Sequence, residues 1–168
     1  IVIKEKEISA EIHEFDLHSI PEEIKILSPY DEYPSLVDRE LVLQNSRVII
    51  EYLDERFPHP PLLPVDPISR AKFRLALNEI EHSWYTKYAE AYNDEVLDDK
   101  FVTEIKTYFL EIAPLIKRKF FMSDDFGLVD CSIAPLLWRL KSLDFDLAEN
   151  NKVIGDYSER IFEREAFQ

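Results

Sequence analysis

Glycine is nearly absent from this chain. Two occur in 168 residues, Gly127 and Gly155, 28 positions apart. A P-loop or a dinucleotide fingerprint needs several glycines at fixed spacing, because the backbone must come close to phosphate. Neither motif can be written here, which excludes nucleotide binding through those loops. Cysteine is as scarce. Cys131 stands alone, so there is no intrachain disulfide and no cysteine-built zinc site. That usage suits a reducing compartment, and a cytoplasmic location is expected. No run approaches the roughly 20 apolar residues of a membrane span, and no secretory signal is visible. Positive charge is short too: 20 Lys and Arg against 34 Asp and Glu leave a net −14. A surface that tracks phosphates needs clustered cations and a positive field. Direct nucleic-acid binding is therefore not expected, and basic surfaces on protein partners are.

Hydrophobic residues are 46% of the chain and charged ones 32%, too apolar a mixture for disorder. A chain of this length buries about 70% of its unfolded surface, enough for a core without staples. It opens at Ile1, without methionine, inside what reads as a helix tail over residues 1–6. Ile8, Ala10 and Ile12 alternate with Ser9, Glu11 and His13, a period of two that predicts a half-buried strand. A short helix is expected around Pro21–Leu27. Two apolar runs around Asp38-Arg39-Glu40 predict a β-hairpin from Tyr33 to Leu43. One strand and one hairpin make too small a sheet to bury itself, so a preceding strand is expected.

Asn45 and Ser46 can both cap the next helix, which carries Val48, Ile49, Tyr52, Leu53 and Phe57 on one face and stops at Pro58. Residues 58–67 hold five prolines, which keep a connecting segment extended and stiff. Beyond them only helical period remains. Asp66-Pro67 reads as a cap with proline at the first helical position. Phe73, Leu77, Ile80, Trp84 and Tyr88 then mark one long helix. A second starts near Phe101, with Pro114 kinking or dividing it. A third, Leu128–Leu140, is apolar almost all round and should be buried. Val153, Ile154, Tyr157, Ile161 and Phe162 mark a fourth. The expected domains are residues 1–57, a linker over 58–65, and an all-helical piece over 66–168.

This order resembles the glutathione-transferase fold, an incomplete thioredoxin-like α/β domain followed by an all-α domain. Three local features carry the likeness: Tyr33-Pro34-Ser35-Leu36, Asn45-Ser46 at a helix start, and Phe126-Gly127-Leu128-Val129-Asp130 opening the buried helix. The runs Leu36–Leu41 and Glu51–Leu62, the latter with Pro58-His59-Pro60 in it, and Asp130-Cys131 with Ala134-Pro135-Leu136-Leu137-Trp138-Arg139-Leu140, are similar to the stringent starvation protein A family. That resemblance implies a bacterial, cytoplasmic regulator of transcription under starvation and stress. It also implies association with RNA polymerase, a transferase fold without transferase activity, and dimerisation with an identical chain or a paralogue. No cofactor is implied.

The resemblance also assigns residues. It implies that the Tyr33–Pro34 bond is cis, aiming the residue before it at a ligand cleft. It places Asn45 and Ser46 where relatives with an acidic-Ser pair grip the γ-glutamyl end of glutathione. Asn45 removes that anion, which counts against glutathione binding and leaves Ser46 as a helix cap. Gly127 stands where the family has a capping Ser or Thr, with Asp130 as the second half of the box. Pro58, His59 and Pro60 match the segment the family uses to engage the polymerase, and the two prolines present His59 outward at low entropy cost. Tyr85, Tyr88 and Tyr92 are read as core packing, Cys131 as an inert buried thiol, and Lys117-Arg118-Lys119 as cations near a helix C-terminus. The four histidines form no metal-ligand spacing. The alternative from the enzyme class is a glutathione S-transferase, whose thiol-holding group follows a first strand that these residues do not include.

Overall fold

A computed structural model describes residues 1–16, 18–28, 33–93, 96–97, 99–116 and 118–167, with backbone alone at 90–93 and 96–97. The chain divides between Pro60 and Pro61 into two compact units.

In the first unit, α1 (Val2–Glu5) buries Val2 and α2 (Glu22–Leu27) follows Pro21. The hairpin pairs β1 (Ser35–Asp38) with β2 (Leu41–Gln44) antiparallel, in register from Ser35↔Gln44 to Asp38↔Leu41. Its two-residue turn puts Arg39 at φ 58, a left-handed conformation taken here without glycine. Gln44 Nε2 donates to Leu27 O at 2.9 Å and ties α2 to the hairpin. Then α3 (Ser46–Arg56) buries Ile49, Leu53 and Asp54. Val48, expected on the core face, is exposed. The strand expected over Ile8–Ile12 does not form, and Ile12 is 69% exposed. An alternating segment becomes a strand only when a second backbone meets its N–H and C=O groups. Among the described residues no strand pairs with this one: Ile8 N turns back to Ile3 O at 2.9 Å, and β1 and β2 pair with each other.

The second unit is helical. Asp66 caps α4 (Pro67–Glu79) by accepting from Ile68 N and Ser69 N, with Pro67 at the first position. The expected single helix is in fact three stretches: α4, a π-helical segment over Ile80–Tyr85, and α5 (Thr86–Ala91). Phe73, Leu77, Ile80, Trp84 and Tyr88 are all buried. Tyr85 is half-buried, and its hydroxyl donates to Ser132 O at 2.8 Å. Burial pushes the Tyr85 hydroxyl up to about 12. The Tyr92 side chain lies outside the described residues. Two-residue strands β3 (Tyr92–Asn93) and β4 (Val96–Leu97) pair before α6 (Asp99–Ile112). Pro114 ends that helix in a 3-10 turn over Ala113–Leu115. Lys117 lies outside the described residues; Arg118 pairs with Asp124 at 3.1 Å in solvent.

The core of this unit is α7 (Leu128–Ser142), nine of whose fifteen residues are buried, Cys131 among them. Trp138 departs from the all-round burial expected of this helix and is 58% exposed. Against α7 lie α8 (Leu147–Asn150) and α9 (Lys152–Phe162), each capped by a side chain, Asp146 and Asn151. Gly155 sits where α9 meets α8: a Cβ there would lie 2.6 Å from both Cα and Cβ of Ala148. Helix propensity favours Ala over Gly by about 1 kcal/mol. The backbone clash reverses that sign, and Gly155→Ala is expected to destabilise by about 1–3 kcal/mol in a urea melt.

Candidate functional site

Three groups of residues were singled out by sequence, and the first unit holds two of them. Pro34 immediately precedes β1 and Asn45 immediately follows β2. Because Ser35 pairs with Gln44, the two flank the same open end of the hairpin. The Tyr33–Pro34 peptide is cis. Tyr33 packs edge-on against Phe15, and its hydroxyl is buried with no hydrogen-bond partner among the described residues.

The cap of α3 is Asn45 rather than Ser46. Its Oδ1 accepts from Arg47 N at 3.0 Å and Val48 N at 3.2 Å, while Ser46 is the first helical residue. An N-cap needs a non-helical backbone with its side chain turned back over the first turn. Asn45 meets that need at φ 72, ψ 114, a conformation that favours asparagine over most side chains. Two of the amides at this helix start are thus already occupied by the protein's own side chain.

The second group lies at the other end of α3. The helix closes at Phe57, whose N–H donates to Leu53 O at 3.0 Å. Pro58, His59 and Pro60 follow, all exposed, and the His59–Pro60 peptide is cis. Beneath them Lys6, buried, sends its Nζ to Phe57 O at 2.6 Å, to Pro60 O at 2.8 Å and to Asp54 Oδ1 at 2.7 Å. The ammonium has three donors and all are used. Beside Phe57, the Arg56 guanidinium stands 5.3 Å from its ring centre and 3.6 Å from Asp38, which also accepts from Tyr52 Oη at 2.7 Å. That bond raises the Tyr52 pKa. An 11-residue helix is about 16 Å long. The Pro-His-Pro triplet and the Pro34–Asn45 end are therefore separate places, not one site.

Lys6 and Asp54 escaped the sequence reading. Their contact spans 48 positions, and Lys6 looked like part of a solvated helix tail. A carboxylate one position after the buried Leu53 was the only signal present.

The third group belongs to the second unit. Asp130 is fully buried at the start of α7 and accepts from Gly127 N at 2.8 Å, Phe121 N at 3.0 Å and Tyr157 Oη at 2.6 Å. Burial lifts the Asp130 carboxyl to about 6 even against these three donors, and lifts Tyr157 well above the usual phenol range. Gly127 cannot supply the side-chain half of a capping box. What its missing side chain provides is room: a Cβ would lie 2.8 Å from Leu62 O, which accepts from Leu128 N at 2.8 Å. Asp130, Phe121 and Tyr157 are all buried.

The profile of the glutathione S-transferase N-terminal domain matches residues 1–61, and that of the C-terminal domain matches residues 65–165. A stringent starvation protein A homolog of Haemophilus influenzae is 48% identical over 170 residues, covering 99% of this chain and 80% of that protein. The chain belongs to the stringent starvation protein A family. A homolog of the same name from Coxiella burnetii is 44% identical, covering 100% of this chain and 82% of its own. In structure, glutathione transferase Omega 3C from Trametes versicolor superimposes with a TM-score of 0.86, over 99% of this chain and 79% of that one, at 17% identity. The fold is thus a thioredoxin-like domain followed by the helical transferase domain. No described helix is long and apolar enough to cross a membrane.

Proposed function

We propose that this member of the stringent starvation protein A family is a cytoplasmic, non-enzymatic regulator of transcription that associates with RNA polymerase through Pro58-His59-Pro60. The supporting observation is the triplet itself: three exposed groups at a helix end, with the carbonyls on either side of Pro58-His59 bonded to one buried ammonium. Binding energy concentrates in a few well-held residues. The net −14 favours basic partner surfaces and argues against direct contact with nucleic acid. The test is co-purification with RNA polymerase holoenzyme from starved cells, together with transcript levels in cells lacking the protein. Absence of both effects overturns the reading.

A second reading, glutathione S-transferase, draws on the fold and on the way Pro34 and Asn45 adjoin one end of the hairpin. Against it stands Asn45 itself: its neutral amide supplies no anion for the glutathione ammonium, and its Oδ1 is engaged with Arg47 N and Val48 N. Turnover of a general electrophile with glutathione, or thermal stabilisation by millimolar glutathione, would decide for this class.

The protein is also proposed to act as a dimer, with an identical chain or a paralogue of the same fold. The outward face of α3 carries a groove of about 280 Å³ lined by Arg47, Val48, Glu51, Tyr52 and Glu55. On α4, Ile68 and Leu75 are exposed seven positions apart, on one face. Light scattering at micromolar concentration is expected to give twice the chain mass.

A further inference from the structure

We infer that Lys6 is the positioning residue of the Pro58–Pro60 loop: with Asp54 holding it, its ammonium fixes the one loop shape that the partner meets. The inference rests on the docking reading above. Pro58 and Pro60 have no N–H, so the triplet's own backbone can donate a single hydrogen bond, from His59. No ladder or helix turn defines its path. The proline rings fix two φ angles, but each ψ stays open. Lys6 supplies the missing constraint, because the carbonyls before and after Pro58-His59 converge on one Nζ at 2.6 and 2.8 Å. Its own position is held in turn. Lys6 N donates to Val2 O at 3.1 Å, Val2 is buried, and Asp54 lies in the last turn of α3. The clamp therefore locks the loop to both α1 and α3.

Stability alone does not account for this pair. A buried ion pair gains little over apolar residues of the same volume, since both charges must be stripped of water. A fixed charge is better suited to selecting one geometry from several, and the geometry it touches is the loop's.

The experiment compares the parent with Lys6→Met/Asp54→Leu, which replaces the pair by apolar groups, and with Asp54→Asn, which keeps a polar partner for Lys6. Three quantities are read: melting temperature, the ¹⁵N order parameter of the His59 amide, and affinity for purified RNA polymerase. In the double variant the melting temperature is expected within a few degrees of the parent. The His59 amide should fall from the rigid range near ~0.85 to below ~0.6. Polymerase affinity should drop about tenfold or more, and Asp54→Asn should move both readouts the same way by less. A His59 amide that stays rigid in the double variant overturns the clamp, whatever the polymerase does. Should the double variant unfold, the same criterion applies to Asp54→Asn. A loosened loop with unchanged affinity also overturns the inference. Alanine replacement of Pro58, His59 and Pro60 then separates the causes. Normal binding by that variant means the docking reading itself has failed; lost binding means docking survives without the clamp.

Discussion

Replacing Asp130 by alanine is expected to lower the melting temperature of the helical unit by about 10 °C. The carboxylate is the acceptor for three groups, Gly127 N, Phe121 N and Tyr157 Oη, all shut away from solvent. Each buried donor left unpaired costs about 1–3 kcal/mol, and groups in one network do not add independently. A net loss of about 3–5 kcal/mol is expected, and each kcal/mol shifts the melting of a 168-residue chain by about 2–4 °C. Asp130→Asn should be milder, since its remaining oxygen still accepts from Phe121 N and Tyr157 Oη while the amide faces Gly127 N.

The same residue carries a pH signature. Its carboxyl titrates near 6 in the folded chain against 3.8 for a free one, because burial penalises the charge. Between those values the folded state holds more protons than the unfolded state, so this stabilisation is full below about 3.8 and is lost as pH rises through about 6. Asparagine has no such dependence. The stability gap between parent and Asp130→Asn should therefore widen by up to about 3 kcal/mol from pH 7 to pH 4. A gap that narrows toward acid would show that the three donors outweigh burial.

The helices were legible because their buried faces repeat at steps of three and four, and because Asp66-Pro67 is a strong local start signal. The π segment was not. Steps of four between Ile80, Trp84 and Tyr88 suit an α turn and a wider π turn alike, so the burial pattern survives while the hydrogen-bond register changes. The alternation at Ile8–Ile12 is a strand pattern without a strand, since a strand is a property of two segments. Turn signals were weak for a related reason. Left-handed backbone falls on Glu7, Arg39, Asn45, Met122 and Asp144 rather than on glycine, so the usual marker is missing where the chain reverses.

In the candidate site, what sequence showed was the exposed triplet and the two helix-start residues. The division of labour between Asn45 and Ser46 needed coordinates. Both residue types are good caps, and only the backbone angle at Asn45 chooses between them. Lys6 was out of reach altogether. A lysine in an acidic chain reads as solvated surface, and only tertiary structure brings it beneath a loop 54 positions away.

That loop carries the last prediction. Pro58→Ala, His59→Ala and Pro60→Ala together are expected to weaken binding to RNA polymerase tenfold or more, while the protein stays folded. All three side chains are exposed. Substitutions at such positions usually change stability by about 0.5 kcal/mol or less. Losing each proline adds about 0.4–1 kcal/mol by freeing the unfolded chain. Lys6 bonds to the main-chain carbonyls of Phe57 and Pro60 and not to any of the three side chains. The melting temperature should therefore fall by only a few degrees. Affinity is set differently. An imidazole with a donor and an acceptor nitrogen, offered between two rigid rings, loses little entropy on docking, and truncating all three groups removes the contact surface outright. A polymerase pull-down and a thermal melt on the same preparation separate the two effects. A triple variant that melts a few degrees low yet binds as the parent does would reduce Pro58–Pro60 to a spacer between the two units.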